Sequence, residues 1–76
     1  MRNTVKNYTY KELSDIILKH KVNFQSDCQF FPNFNVTGYV YDIQIKNNEY
    51  LFMLRYKNGK TYTIGSNMHN LTFEII

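Results

Sequence analysis

The stretch Glu49-Tyr-Leu-Phe-Met-Leu-Arg-Tyr-Lys-Asn-Gly-Lys-Thr-Tyr-Thr-Ile64 decides the fold, because it holds two extended runs joined by Asn58-Gly59. A two-residue turn of type I′ requires positive φ at both central positions, which Asn tolerates and Gly adopts readily. On that turn Lys57 pairs with Lys60, Tyr56 with Thr61, Arg55 with Tyr62, Leu54 with Thr63 and Met53 with Ile64. This register places Leu51, Met53, Tyr62 and Ile64 on one face, and Tyr50, Phe52, Leu54, Tyr56, Thr61 and Thr63 on the other. The first strand is then apolar on both sides, where an antiparallel sheet normally turns a polar face to water.

Upstream, Val36 to Ile45 reads as a strand whose phase switches near Asp42: Val36, Gly38 and Val40 share one face, while Ile43 and Ile45 belong to the other. A bulge or sharp bend is implied, and Gly38 suits curvature or close backbone approach. Lys46-Asn-Asn48 makes the intervening turn. Downstream, Gly65 to Asn70 reads as a loop or a 3₁₀ turn, and Leu71, Phe73 and Ile75 point inward from a closing strand. Before all of these, Cys28-Gln-Phe-Phe31 reads as a short edge strand stopped by Pro32.

The N-terminal part carries a helix signature. Thr9-Tyr10-Lys11-Glu12 fits a capping box, and Tyr8 and Leu13 are spaced as a hydrophobic staple. Leu13, Ile16, Ile17 and His20 recur at helical spacing, so the pattern predicts a helix over 10–21 with one buried stripe. The whole reads as an α+β domain, residues 1–76. One N-terminal helix packs on a small, strongly bent antiparallel sheet or SH3-like barrel of about four to five strands: 28–31, 36–45, 49–57, 60–65 and 71–75.

Val36-Thr-Gly-Tyr-Val-Tyr-Asp-Ile43, the Asn-Gly hairpin, the turn around Met68 and the last apolar strand together resemble an SH3-like barrel. With a helix in front, the outline is also similar to Sm-like small barrels, which bind RNA as rings. The resemblance covers Val36 to Ile76 and rests on layout. It implies a scaffold that hosts nucleic-acid binders, peptide binders and assembly parts alike.

Composition narrows the classes. With 76 residues the chain has room for one core, and a domain of this size buries only about 60% of the surface its unfolded form exposes. Aromatic residues make up 17%, all Tyr or Phe, so these rings supply much of the interior. Alanine is absent while Asn, Lys, Ile, Tyr and Phe abound, a codon bias expected of a low-GC bacterium or of a phage or plasmid living in one. The lone Cys28 cannot form an internal disulfide, which points to a reducing compartment. No apolar run approaches the ~20 residues of a membrane span, and the N-terminus lacks a signal-peptide core, so a cytoplasmic location and no membrane partner are expected. A net charge of +3 permits polyanionic partners without demanding them.

Catalytic signatures are sparse. His20 lies on the apolar helix stripe, where a partly buried histidine is the plain reading, and His69 sits in a loop. Cys28, His20, His69 and Asp27 show no zinc-ligand spacing, so no metal or cofactor is expected. Ser14, Ser26 and Ser66 lack a nucleophile elbow, and Gly38, Gly59 and Gly65 stand apart instead of forming a phosphate loop. A non-enzymatic binding protein is the resulting expectation.

Three readings compete for the face bearing Tyr50, Phe52, Leu54 and Tyr56. The helix covers it; or it is an open stacking platform for single-stranded nucleic acid, with Arg55, Lys57 and Lys60 on phosphates; or it is a protein interface. Tyr39, Tyr41, Arg55, Tyr56, Lys57 and Lys60 are the candidate partner-binding residues. The favoured function is an accessory protein of a phage or mobile element that docks on a host protein and modulates or inhibits it. Nucleic-acid binding is the alternative, and a homo-oligomer formed through strand edges is a third arrangement.

Overall fold

A computed structural model describes residues 2–27, 29–30 and 33–76. Its elements are β1 (Asn3–Thr4), a 3₁₀ turn (Val5–Asn7), α1 (Tyr10–Ile17), β2 (Lys21–Ser26), β3 (Phe34–Lys46), β4 (Glu49–Arg55), β5 (Thr61–Gly65) and β6 (Thr72–Ile75). All strands join one antiparallel sheet in the order β1-β6-β2-β3-β4-β5, which is not closed into a barrel. The α+β class holds, with six strands in place of four to five.

The helix starts as its capping box dictates. Glu12 N donates to Thr9 Oγ1 at 3.2 Å and Thr9 N donates to Glu12 Oε1 at 2.9 Å. It stops four residues before the expected end, because Leu18 turns extended and Lys19 enters the left-handed region at φ 65°. The amide of Lys19 donates to the Val40 carbonyl at 2.7 Å, and the His20 carbonyl accepts from Val40 N at 3.0 Å. Sheet pairing thus takes the groups that a further helical turn would have used. His20 is consequently exposed and outside the helix, and Ile16 is 37% exposed, while Leu13 and Ile17 are the helix's buried residues, with Tyr10 packed partly against the same core.

Lys21-Val-Asn-Phe-Gln-Ser26 is a strand that the sequence reading missed. Val22, Phe24 and Ser26 point inward at strand spacing, and β2 sits at the centre of the sheet between β6 and β3. Of the edge strand expected at 28–31, Cys28 and Phe31 lie outside the described residues, as does Pro32, and Gln29 and Phe30 form a turn.

The phase switch in β3 is a bulge at Tyr41. Val40 pairs with Leu54, yet Asp42 pairs with Met53, so one extra residue lets both Val40 and Ile43 face the core. Ile45 keeps the phase of Ile43, pairing with Tyr50 as Ile43 does with Phe52, but it lies near the strand's end beyond the core and is 58% exposed. At Gly38 a Cβ would lie 3.2 Å from the Arg55 carbonyl and 3.3 Å from Leu54 Cβ, the close approach that the glycine permits.

The two-residue turn expected at Asn58-Gly59 is found at the other hairpin. Asn47 and Asn48, at φ 52° and 62°, form the two-residue turn with positive φ at both positions, and Lys46 pairs directly with Glu49. At Asn58-Gly59 only Gly59 has positive φ, at 86°. Gly59 N donates to the Tyr56 carbonyl at 2.9 Å and Tyr56 N to the Lys60 carbonyl at 2.8 Å, closing a three-residue loop with a glycine bulge. Asn58 Oδ1 accepts from Lys60 N at 3.0 Å, which holds Asn58 out of the left-handed region. The register therefore shifts by one: Arg55 pairs with Thr61, Leu54 with Tyr62, Met53 with Thr63 and Phe52 with Ile64. A one-residue shift moves every side chain of β5 to the other face.

With this register Phe52, Leu54 and Ile64 share one core with Val5, Leu13, Ile17, Val22, Phe24, Val40, Ile43, Leu71 and Phe73. Phe24 of β2 stacks on Phe52 of β4 with ring centroids 5.2 Å apart. Those strands are separated by β3, about 9.6 Å in a flat sheet, so the sheet curls around its core. Ile75, expected inward, is 41% exposed where β6 ends.

Candidate functional site

Phe52 and Leu54 are fully buried, and Tyr50 meets Tyr10 of α1 edge-to-face at 5.8 Å. Tyr10 also donates its hydroxyl to the Ile43 carbonyl at 2.9 Å, tying the helix to the bulged strand. The fold thus closes off this face along Tyr50, Phe52 and Leu54, so these three form no open stacking platform, while Tyr56 lines a surface groove. A site must be sought on the outer face.

That face has two unlike halves. Over β6, β2 and the first part of β3 it is a hydrogen-bonded network centred on Asn23, only 7% exposed. Asn23 Nδ2 donates to Asn35 Oδ1 at 2.6 Å and Thr37 Oγ1 at 2.8 Å; its Oδ1 accepts from Arg2 Nη1 at 2.8 Å and Gln25 Nε2 at 3.0 Å. Arg2 further donates to Thr72 Oγ1 at 3.0 Å and lies 3.7 Å from the Glu74 carboxylate. These donors and acceptors answer one another.

The second half covers the end of β3, β4 and β5. Cross-strand pairing sets Lys21, Tyr39, Arg55 and Thr61 in one row over four strands, with Met53 and Leu51 in the following rows. The Arg55 guanidinium carbon lies 5.1 Å from the Tyr41 ring centroid and 6.0 Å from that of Tyr39. Such contacts orient an exposed arginine and are worth about 0.5–1 kcal/mol. Among the described residues Arg55 has no carboxylate within 4.0 Å and no hydrogen-bond acceptor. Its donors therefore point to solvent, held in place by rings. Beside it runs a groove of about 580 Å³ lined by Lys21, Thr37, Gly38, Tyr39, Arg55, Tyr56 and Lys57.

The candidate residues Tyr39, Arg55, Tyr56 and Lys57 meet in this groove, and Tyr41 joins them through Arg55. Lys60 lies across the hairpin loop and does not line it. The Tyr56 ring approaches Tyr62 at 6.1 Å, and burial first, then the Coulombic influence of Tyr62, push its phenol above the ordinary 10.0. Lys21, Leu51 and Met53 were missed. Lys21 was placed at the end of the helix, and the shifted register hid the outward course of Leu51 and Met53; the alternation Val22, Phe24, Ser26 was the signal available for Lys21.

Other chemistry-bearing groups are scattered. His69 Nε2 lies 3.8 Å from Asp27 Oδ1 with both side chains well exposed. Among the described residues no three His, Cys, Asp or Glu side chains gather as a metal site, and Cys28 falls outside those residues. No described helix is long and apolar enough to cross a membrane. Compared with known proteins, the sequence matches no family model, and neither a curated protein nor a solved structure matches it.

Proposed function

We propose that this chain is a non-enzymatic docking protein that binds an acidic surface of a partner protein through Tyr39, Tyr41, Leu51, Met53 and Arg55, flanked by Lys21 and Lys57. The observation that carries this reading is the Arg55 guanidinium, oriented by two tyrosine rings and lacking an acceptor of its own among the described residues. Tyr, Met and Arg are the residue types enriched at protein interfaces, and an arginine with rigid aromatic neighbours loses little freedom on binding. Three cations line the groove while the nearest outward carboxylate in this row system is Asp42. That carboxylate already accepts from Ile43 N at 2.9 Å and from Gln44 Nε2 at 3.1 Å.

The composition supports a cytoplasmic phage or mobile-element protein, and such a protein would dock on a host factor and modulate or inhibit it. The meander β2-β3-β4-β5 with β6 returning beside β2 supports reading the sheet as an opened small-barrel layout of the SH3-like kind. Nucleic acid is the second reading, favoured by the coincidence of Lys21, Arg55 and Lys57 with the Tyr39 and Tyr56 rings in one groove.

Amide chemical-shift titration separates the two. An oligoglutamate peptide and a single-stranded oligonucleotide of equal charge are added at low and moderate salt. The docking reading expects the peptide to shift amides in 37–41 and 53–57 while leaving 23–25 and 72–74 in place. Stronger binding of the oligonucleotide, with affinity falling steeply as salt rises, would favour nucleic acid; no response at those amides to either probe would sink both.

A further inference from the structure

The sheet ends on one side at β5, and the backbone pattern shows what that edge offers. Tyr56 N donates to the Lys60 carbonyl and Ser66 N to the Tyr50 carbonyl, so residues 60, 62, 64 and 66 aim their peptide groups at β4. Thr61, Thr63 and Gly65 then aim theirs away from the sheet. Among the described residues no strand pairs on that side, and the one backbone bond recorded there is Met68 N donating to the Gly65 carbonyl at 3.4 Å. Natural edges are blunted by charge, proline, a bulge or extreme shortness. The opposite edge obeys, since β1 is two residues long; Thr61-Tyr-Thr-Ile-Gly65 has none of these devices.

We propose that β5 is a self-association edge, along which two copies of this chain pair antiparallel about a two-fold axis at Thr63. In that register Thr63 faces Thr63 and Thr61 faces Gly65, so each outward amide meets an outward carbonyl of the other copy. Side chains agree with the register. Threonine opposite threonine is a favourable cross-strand pair. Tyr62, 40% exposed and the outermost of a ring cluster with Tyr56 and Phe34, falls opposite Ile64 of the second copy.

Charge selects the second copy and its direction. One end of the edge carries Lys57 and Lys60; at the other, the Glu49 carboxylate lies over Gly65 and accepts from Asn67 N at 3.2 Å. Antiparallel pairing brings each cationic end to the carboxylate end of the other copy, whereas parallel pairing would oppose lysine to lysine. The two-fold axis also makes the contact closed: a dimer forms and not a fibre. An edge of five residues is a small interface, so the dimer is concentration-dependent.

Light scattering across a concentration series, with amide hydrogen exchange at the upper end, tests this. The expected result is a monomer–dimer transition in which the Thr61 and Thr63 amides become protected as the dimer forms. Thr63→Lys, which sets like charges opposite each other at the axis without touching the β4 ladder, should yield a monomer with an unchanged amide spectrum elsewhere and fast exchange at residue 61. Thr63→Pro should do the same by removing an amide that β4 does not use. A monomer at every concentration, a dimer indifferent to both variants, or an assembly larger than a dimer would overturn the proposal. None of these results depends on the Arg55 groove, whose own test uses added ligands.

Discussion

The two arginines of this chain lie on the same face of the same sheet and live in opposite circumstances. Arg2 is spent: its guanidinium donates to Asn23, Thr72 and the backbone carbonyls of both residues, and faces Glu74. Arg55 is poised, lying over Tyr39 and Tyr41 with no acceptor among the described residues. The difference teaches how a small domain divides one surface. A saturated polar network holds β1, β6, β2 and β3 together, where core area alone is scarce. The neighbouring aromatic and cationic half contributes little to stability, and its unsatisfied donors are what a partner can use.

The comparison breaks most visibly at Asn23. Asn23→Ala removes the hub of the network and strands the groups around it, at an expected cost of about 2–3 kcal/mol. For a domain of this size each kcal/mol lowers Tm by roughly 4–8 °C, which calorimetry or thermal circular dichroism will read. Partner binding below the new Tm should be unchanged. A loss below about 0.5 kcal/mol, within the scatter of ordinary surface substitutions, would mean the network is not structural.

Arg55→Ala is the mirror case. Stability should fall by no more than about 1 kcal/mol, while partner affinity drops by at least ~2 kcal/mol, roughly 30-fold, as for an interface hot spot. Isothermal titration with the captured partner and a melting curve give both numbers. An equal effect on each would place Arg55 with Arg2 as a structural residue.

The smallest effect is a titration. Tyr56 has its phenol raised above the ordinary 10.0, so the native state keeps a proton that the unfolded chain loses first. Its contribution is fully present below about pH 10 and is lost as pH rises through the higher native value. Tyr56→Phe should flatten the fall in stability above pH 10 and leave neutral pH untouched, and urea melts at a series of alkaline pH values will show whether it does.

How much of this was legible in the sequence follows from how local each signal is. The capping box at Thr9 and the bulge near Asp42 could be read because a few neighbouring residues fix them. The hairpin at Asn58-Gly59 was legible as a turn but not in its register: Asn-Gly serves a type I′ turn and a glycine-bulged loop alike, and the Asn58 side chain bonding to Lys60 N decides between them. Helix length was not legible either, since Lys19 and His20 are claimed by Val40, a partner twenty residues on. Tyr39, Tyr41, Arg55 and Lys57 could be named as candidates because rings beside cations stand out in any register, and the fold brings them to one groove. Leu51 and Met53 were not, because the face they occupy depends on one residue of shift.

The most direct test of the docking claim is paired affinity capture from host lysate with the native chain, Arg55→Glu, and Gln25→Glu as a charge change on the saturated half. The account predicts a stoichiometric protein retained by the native chain and by Gln25→Glu and lost with Arg55→Glu, all three having native amide spectra. Retention undiminished by Arg55→Glu, or loss with Gln25→Glu alone, would contradict it.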